Sequence, residues 1–374
     1  MPNSFLNVKE IARQALPRLI ENLVFPNLIY RDYSEAYEVG KGATIQVRKP
    51  VILTAQEFSS SVSAQDVKEE SVEVTLDKLA TVDVEFGAIA RATSVDDLNR
   101  LFIEPAAAAL ATKINDDGLK LYADIPYAVG TSGTTPSTLA IFANAAKVLD
   151  EHKAPTTARH GVWNPTCMAA FRQIGDIVNA EKSGATAALR AGSIGNIFGI
   201  DNYMSQGVAT ASSGNVTAGG TGATGVKIKT AVTADDDIVL VSNATASATL
   251  TGKVMKGDVL TIGGEQYVAT ATAEASSNEI AVALDRPLTV AANAAVTIAA
   301  GGGQNLVFHE NAFAFVTRPL SAPAGVESYV TSYNGISLRV VRGYDMTYKK
   351  EMLSMDVLYG YKTMYPELAV RALS

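Results

Sequence analysis

At 374 residues, 47% hydrophobic and 18% charged, the chain is long enough for two or three packed units, and its composition excludes disorder over most of its length. A formal net charge of −7 excludes the generally basic surface by which proteins grip nucleic acid phosphates. A single cysteine, Cys167, excludes an internal disulfide framework, no apolar run reaches the ~18 residues a membrane span needs, and MPNSFLNVKE is no export leader, so the expected setting is soluble, in a reducing cytoplasm.

The first predicted element is a short helix, in which Phe5, Val8, Ile11, Ala12 and Ala15 keep helical spacing until Pro17 interrupts it. The following NLVFPNLIYRDYSEAYEVGKG mixes aromatics with proline and has no period, as expected of an extended, adhesive arm. GATIQVRKP at 42–50 sets Ile45 and Val47 on one face and Gln46 and Arg48 on the other. Residues 71–92 place Val72, Val74, Leu76, Val82, Val84 and Phe86 on one parity, which predicts a strand roughly 50 Å long at ~3.3 Å per residue. The polar stretch TAQEFSSSVSAQDVKEE joins the two into a long ribbon. A two-stranded ribbon is marginal by itself in water, so its apolar face is expected to rest on another copy of the chain. Ile45, Val47, Arg48, Lys49, Val72 and Val74 are the residues expected at that contact.

Ser94 with Asp97 resembles a capping box, and Leu98, Leu101, Phe102, Ala109, Ile114 and Leu121 continue at near-helical spacing. Pro105 either kinks this strut or opens a second helix at its first turn. Helices after Thr135-Pro136 and after Asn164-Pro165, the latter with Met168, Phe171, Ile174 and Val178 on one face, frame a small α/β unit. From about 205 to 304 the composition turns to Ala, Thr, Val and Gly, with short runs such as VKIKTAV, DIVLVS, DVLTI and EIAVAL between turn residues. That pattern predicts an inserted all-β barrel or sandwich, closed by a Gly301-Gly302-Gly303 linker. Beyond it, Leu353, Met355 and Val357 alternate with Ser354, Asp356 and Leu358, as in a strand with both faces partly covered.

Chemical motifs are weak. GTGATG at 220–225 is a literal G-x-G-x-x-G, but VKIKTAV follows it, and a dinucleotide site needs a helix there to hold the pyrophosphate. Lys227 also comes one residue late for a P-loop. His152, His160 and His309 are far apart in sequence and match no zinc spacing, and Cys167 on an apolar helix reads as packed. Asp235, Asp236 and Asp237 lack the spacing of a calcium loop and read as a solvated turn between strands, or as a partner for basic residues on another subunit. No catalytic residue, cofactor or metal is expected, and the chain is not expected to be an enzyme.

Three stretches carry a resemblance: FPNLIYRDYSEAYEVGKGATIQVRKP at 25–50, GSIGNIFGIDNYMS at 192–205 and YNGISLRVVRGYDMTYKKEMLSMDVLYGYKTMYPELAVRAL at 333–373. With the order arm, ribbon, strut, α/β unit, β insert and returning strand, the chain resembles the major capsid (coat) proteins of tailed bacteriophages, the Hong Kong ninety-seven fold, and within it the phage P-twenty-two coat type. The resemblance implies an α+β fold divided into an N-terminal arm 1–38, an E-loop ribbon 39–92, a P-domain spine helix 93–128, a first A-domain part 129–204, an inserted β-barrel domain 205–304, an A-domain return 305–342 and a P-domain return strand 343–374. It implies self-assembly, through pentamers and hexamers, into an icosahedral shell around double-stranded DNA, without sequence-specific binding. Scaffolding protein and portal would be partners, no membrane would be involved, and the shell would assemble in the host bacterial cytoplasm and end in the virion. Asp235 to Asp237 would then meet a basic surface across capsomers. Some members cross-link an E-loop lysine to a neighbour's asparagine; Lys41, Lys49, Lys68 and Lys78 stand in this region, but no motif marks such a pair and no cross-link is expected. The alternative is a phage tail or fibre protein, or a surface-layer structural protein with a β display domain.

Overall fold

The computed structural model describes residues 8–31, 44–48, 71–86, 103–179, 192–220, 225–242, 248–299, 301–323, 325–345 and 350–374. The chain divides into two units, Met1–Asn115 with Phe313–Met364 and Asp116–Ala312 with Tyr365–Ser374.

In the first unit, helix α1 (Val8–Asn22) buries Val8, Ile11, Ala12, Ala15, Leu16 and Leu19 along one stripe. It runs past Pro17, where the sequence predicts a stop. Leu16 and Leu19 continue the apolar stripe onto the strands Glu327–Tyr333 and Ile336–Asp345, and this burial outweighs the one backbone bond that proline removes. The part of the arm up to Arg31 also finds its rest within the chain: Phe25, Leu28 and Ile29 are buried, and Tyr30 bridges Ala314, while residues 32–43 lie outside the described residues. Asn115 ties this segment down, its Oδ1 accepting the N–H groups of Val24 and Phe25 (3.1 and 3.2 Å) and its Nδ2 donating to Asn22 O (3.2 Å).

Strand β1 (Thr44–Arg48) pairs antiparallel with β2 (Ser71–Thr75), and after Leu76 and Asp77 the chain enters β3 (Lys78–Phe86). The single long strand predicted over 71–92 is therefore two, and β3 pairs along Lys350–Thr363 of its own chain. The shared parity is satisfied there: Val74, Leu76 and Ala80 are buried. The ribbon tip at 54–70 and residues 87–92 lie outside the described residues.

Helix α2 (Glu104–Leu119) has Pro105 in its first turn. Its 16 residues span about 24 Å at 1.5 Å each; Ser94 to Phe102 lie outside the described residues.

The second unit is built on one sheet. Its members in chain order are β4 (Ala128–Val129), β5 (Arg159–Trp163), β6 (Asn196–Ile197) and β7 (Ile200–Met204), joined by Thr210–Ala211, Gly302–His309 and Ala369–Leu373. Helices α3 (Ala140–Glu151), α4 (Pro165–Phe171) and α5 (Gly175–Val178) contribute Phe142, Leu149, Phe171 and Ile177 to a core with Trp163, Ile200, Val307 and Val370. The one helix predicted after Asn164-Pro165 is split, because Ile174 is extended between α4 and α5. Asn164 caps α4 by accepting the Cys167 N–H at 2.7 Å.

Between 205 and 301 every regular element among the described residues is a strand. They are β8 (Thr210–Ala211), β9 (Thr217–Gly220), β10 (Lys227–Ile228), β11 (Val232–Val241), β12 (Ala248–Thr251), β13 (Lys253–Val254), β14 (Val259–Ile262), β15 (Glu265–Val268), β16 (Ala273–Glu274), β17 (Ile280–Val290) and β18 (Val296–Ile298). Apart from β8, which pairs with Gly302 and Gly303, they enclose an apolar core that includes Ile238, Leu240, Leu260, Ile280 and Val282. The glycines after it are no flexible linker: Gly302 and Gly303 begin β19 (Gly302–His309), and a Cβ on Gly302 would lie 2.4 Å from Ser374 O. Close approach of two backbones is what requires glycine there.

The chain re-enters the first unit at Phe313, with β20 (Phe313–Arg318), β21 (Glu327–Tyr333), β22 (Ile336–Asp345) and β23 (Lys350–Thr363). β23 is the spine of that sheet, flanked by β3, β20 and β22, and it buries Leu353, Met355 and Val357. Phe25, Phe313, Phe315 and Tyr361 pack nearby with ring separations of 5.5 Å (Phe25–Phe313) and 4.8 Å (Phe315–Tyr361), and the Tyr361 hydroxyl donates to Ile114 O at 3.0 Å. The last ten residues then return to the second unit as β24 (Ala369–Leu373). No helix among the described residues is long and apolar enough to cross a membrane.

Candidate functional site

Ile45 and Val47 in β1 stand opposite Val74 and Val72, and Arg48 opposite Ser71. Among the described residues β1 pairs with β2 alone. Val72 is half-buried. Val74 is 0% exposed, where the base of the ribbon packs beside β23. A Cβ on Gly360 would lie 2.2 Å from Thr75 O, so glycine is what admits this approach. Lys49 lies outside the described residues.

Asp235, Asp236 and Asp237 sit inside β11 and not in a turn between strands. Pairing with β17 slips between Val232 and Asp235 and again between Asp235 and Asp237, a bulge with Ala234 at φ 51°. The Ala234 N–H donates to Thr289 Oγ1 and the Asp237 N–H to Asp235 Oδ1. All three carboxylates are exposed and lie within 4.8 Å of one another, a concentrated point of negative charge. Residues 221–224 of GTGATG lie outside the described residues, and β10, a strand, follows them.

Two histidines that are 149 positions apart in sequence come together on β5 and β19, where Phe308 stands opposite His160 and His309 opposite Arg159. His309 is buried, not at a strand edge, and its Nδ1 accepts the Asn311 N–H at 3.2 Å. Burial pushes both imidazoles below the usual histidine range; Asp201 and Glu310 oppose this at His160, while at His309 Glu310 opposes it and Arg159 and His160 add to it. A depressed pKa means that the unfolded chain takes up protons first, so stability falls as pH drops below the unfolded value of about 6.5. The urea midpoint is expected to fall between pH 7 and 5.5, and the double variant His160→Gln, His309→Gln to show a flatter slope over that window. An unchanged slope would assign the acid sensitivity elsewhere. His152 instead stacks on Tyr127 at 4.0 Å, and Cys167 is buried with its thiol pushed up by desolvation.

The β9–β18 segment is joined to the sheet of its unit by polar contacts that the sequence did not announce. Arg371 in β24 donates from Nε to Ile125 O (2.6 Å) and from Nη1 to Gly257 O (2.7 Å). Its guanidinium lies 5.4 Å from the Tyr122 ring centroid, and burial lowers its pKa to about 10. Arg286 stacks against Tyr127 and Tyr267 at 5.6 and 4.7 Å, and Gln266 Oε1 accepts the Ala128 N–H at 2.8 Å.

No protein-family model matches this chain, and no curated protein does so. Among solved structures, one from Mycobacterium phage Che8 is 18% identical with a TM-score of 0.53, over 94% of this chain and 90% of that one. The capsid of Ralstonia phage GP4 is 10% identical with a TM-score of 0.48, over 92% and 86%. The capsid structure of the cyanophage P-SCSP1u is 14% identical with a TM-score of 0.46, over 90% and 84%. The first of these likenesses shows a fold shared along nearly the whole chain.

Proposed function

We propose that the chain is the shell-forming coat subunit of a tailed bacteriophage, with a Hong Kong ninety-seven fold of the P-twenty-two type. The chain-long likeness of fold to a phage structure supports this reading. The observation that carries it is the two-stranded ribbon of β1 and β2, one edge of which has no strand beside it among the described residues. A ribbon of this kind gains most of its stability from a neighbour, and a copy of the same chain is the neighbour always at hand.

In this reading the first unit is the P-domain with arm and E-loop, the second is the A-domain, and residues 205–304 are its insertion domain. Repeated heterologous contacts close into pentamers and hexamers and then into an icosahedral shell. A chain with net charge −7 contains double-stranded DNA more than it grips it. Scaffolding protein and portal complete the assembly in the host cytoplasm, and the product is the virion.

Electron microscopy of the purified protein, alone and with a scaffolding partner, is expected to show closed particles of uniform curvature. A compact monomer under every assembly condition would sink the reading. Deleting residues 57–68, the ribbon tip, is expected to leave the melting temperature unchanged while particle yield falls at least about tenfold. Loss of folding in that variant would show that the tip belongs to the subunit's own structure.

A further inference from the structure

We propose that Asn334 is a site of spontaneous covalent modification, at which the side-chain amide is exchanged for a carboxylate through a succinimide, and that Arg31 promotes the exchange in the folded chain. Asn334-Gly335 is the single Asn-Gly pair in the sequence. It forms the two-residue turn between β21 and β22, with Tyr333 opposite Ile336 and φ of 51° and 72° at its two residues. Asn-Gly favours this backbone, which sets the pair at a hairpin tip with Asn334 exposed to water.

The chemistry needs only these two residues and solvent. The Gly335 nitrogen gives its proton to hydroxide and bonds to Asn334 Cγ. The bond from Cγ to Nδ2 breaks, and the side-chain nitrogen leaves as ammonia with a proton from water. One water then opens the ring, and no oxidation or reduction occurs. Cleavage between Cγ and the Gly335 nitrogen gives aspartate; cleavage at the main-chain carbonyl carbon of residue 334 gives isoaspartate, whose backbone runs through Cβ and Cγ. Access to the attacking nitrogen is open, because even a Cβ on Gly335 would meet only Arg31 Cβ and O, both at 3.7 Å. At Asn215 and Asn278, by contrast, the side chains of Val216 and Glu279 stand next to the nitrogen that would attack.

The fold adds an activating group. Arg31 Nη1 donates to Asn334 O at 3.4 Å, the carbonyl of the same peptide unit whose nitrogen attacks. A guanidinium there favours the ionised amide over the neutral one, through its charge and its hydrogen bond. The contact is braced from both sides. Arg31 Nη1 also donates to Asn27 Oδ1 (2.9 Å), and Thr317 Oγ1 donates to Gly335 O (2.7 Å) while accepting the Ser337 N–H (3.2 Å). The new carboxylate adds one negative charge to a chain that carries −7.

Mass spectrometry of the peptide that contains Asn334, with electron-transfer fragmentation to separate aspartate from isoaspartate, tests this on the folded protein stored at neutral and mildly alkaline pH. Both products are expected at this position ahead of any change at Asn215 or Asn278. The rate should rise by up to about tenfold per pH unit, as the ionised fraction of a group does far below its pKa. Arg31→Met is expected to slow the conversion several-fold in the folded protein and to leave it unchanged in urea, with Arg31→Lys in between and a melting curve showing that each variant is folded. The inference is overturned if Asn334 stays intact in the folded protein, if it converts only in urea, or if Arg31→Met and Arg31→Lys both convert at the parent rate when folded.

Discussion

Replacing Arg371 by methionine is expected to destabilise the second unit by about 3–5 kcal/mol, the range for removing one partner from a buried charged network. The side chain is 1% exposed, and its two donated bonds run to carbonyls of different segments, Ile125 at the end of the helical strut and Gly257 in the turn between β13 and β14. Methionine fills much of the volume but leaves both carbonyls without a donor, and each buried orphan costs about 1–3 kcal/mol. It also withdraws the positive charge that favours ionisation of Asp258, a residue whose own burial already raises its pKa. Asp258 Oδ2 accepts the N–H groups of Gly214 and Met255, so the whole turn loosens. At roughly 2–4 °C per kcal/mol for a unit of this size, the melting temperature should fall by roughly 6–20 °C. Limited trypsin digestion should find Lys256 earlier than in the parent. A melt within about 1 kcal/mol of the parent would mean that the desolvation of arginine had cancelled its bonds, as happens in some buried ion networks.

Trp163→Ala is expected to cost a comparable ~3–5 kcal/mol, the usual range for emptying a buried indole site. Trp163 is fully buried, with ring centroids 5.1 Å from Phe142 and 4.9 Å from Phe171, so alanine opens a cavity between α3, α4 and β5. The loss extends beyond packing, because Nε1 donates to Asn202 Oδ1 and Asn202 in turn braces the β6–β7 hairpin. Trp163→Phe restores most of the volume without the donor. It should recover well over half of the melting temperature in calorimetry, yet leave the hairpin amides of 196–204 faster in hydrogen exchange. If phenylalanine restores that protection in full, the indole N–H does not hold the hairpin.

Several elements are legible in the sequence. Helical spacing in α1, α2 and α3, the Asn164-Pro165 start of α4, the parity of β2 and β3 and the change of composition near 205 all appear in the sequence, because each is written within a few residues by backbone geometry and the exclusion of apolar groups from water. The misreadings share a cause. Pro17 predicts a helix stop unless Leu16 and Leu19 are known to have a sheet to lie on. The even parity of Val74 and Leu76 says that a face is covered and is silent on which surface covers it; β23, almost three hundred residues away, does so at the base of the ribbon. Asp235 to Asp237 read as a turn, since a bulge shows only once β17 is paired alongside.

The candidate contact surfaces were legible in part. Ile45 and Val47 stand on the ribbon as their alternation indicates. The turn at Phe198-Gly199 carries a weak local signal, a bulky residue before glycine between Asn196-Ile197 and a strand. Arg371 and the meeting of His160 with His309 had no local signal at all.

By itself the sequence determined an α+β chain with a β-rich segment after 205, a ribbon near its start, and a poor supply of catalytic motifs. These properties depend on periodicity and composition, which neighbouring residues carry. Only the tertiary structure decided where the apolar faces come to rest, that the last ten residues belong with the second unit, and that a buried arginine binds the β segment to its sheet. Such choices are made by contacts between residues far apart in the chain, whose free energy no short window of sequence contains.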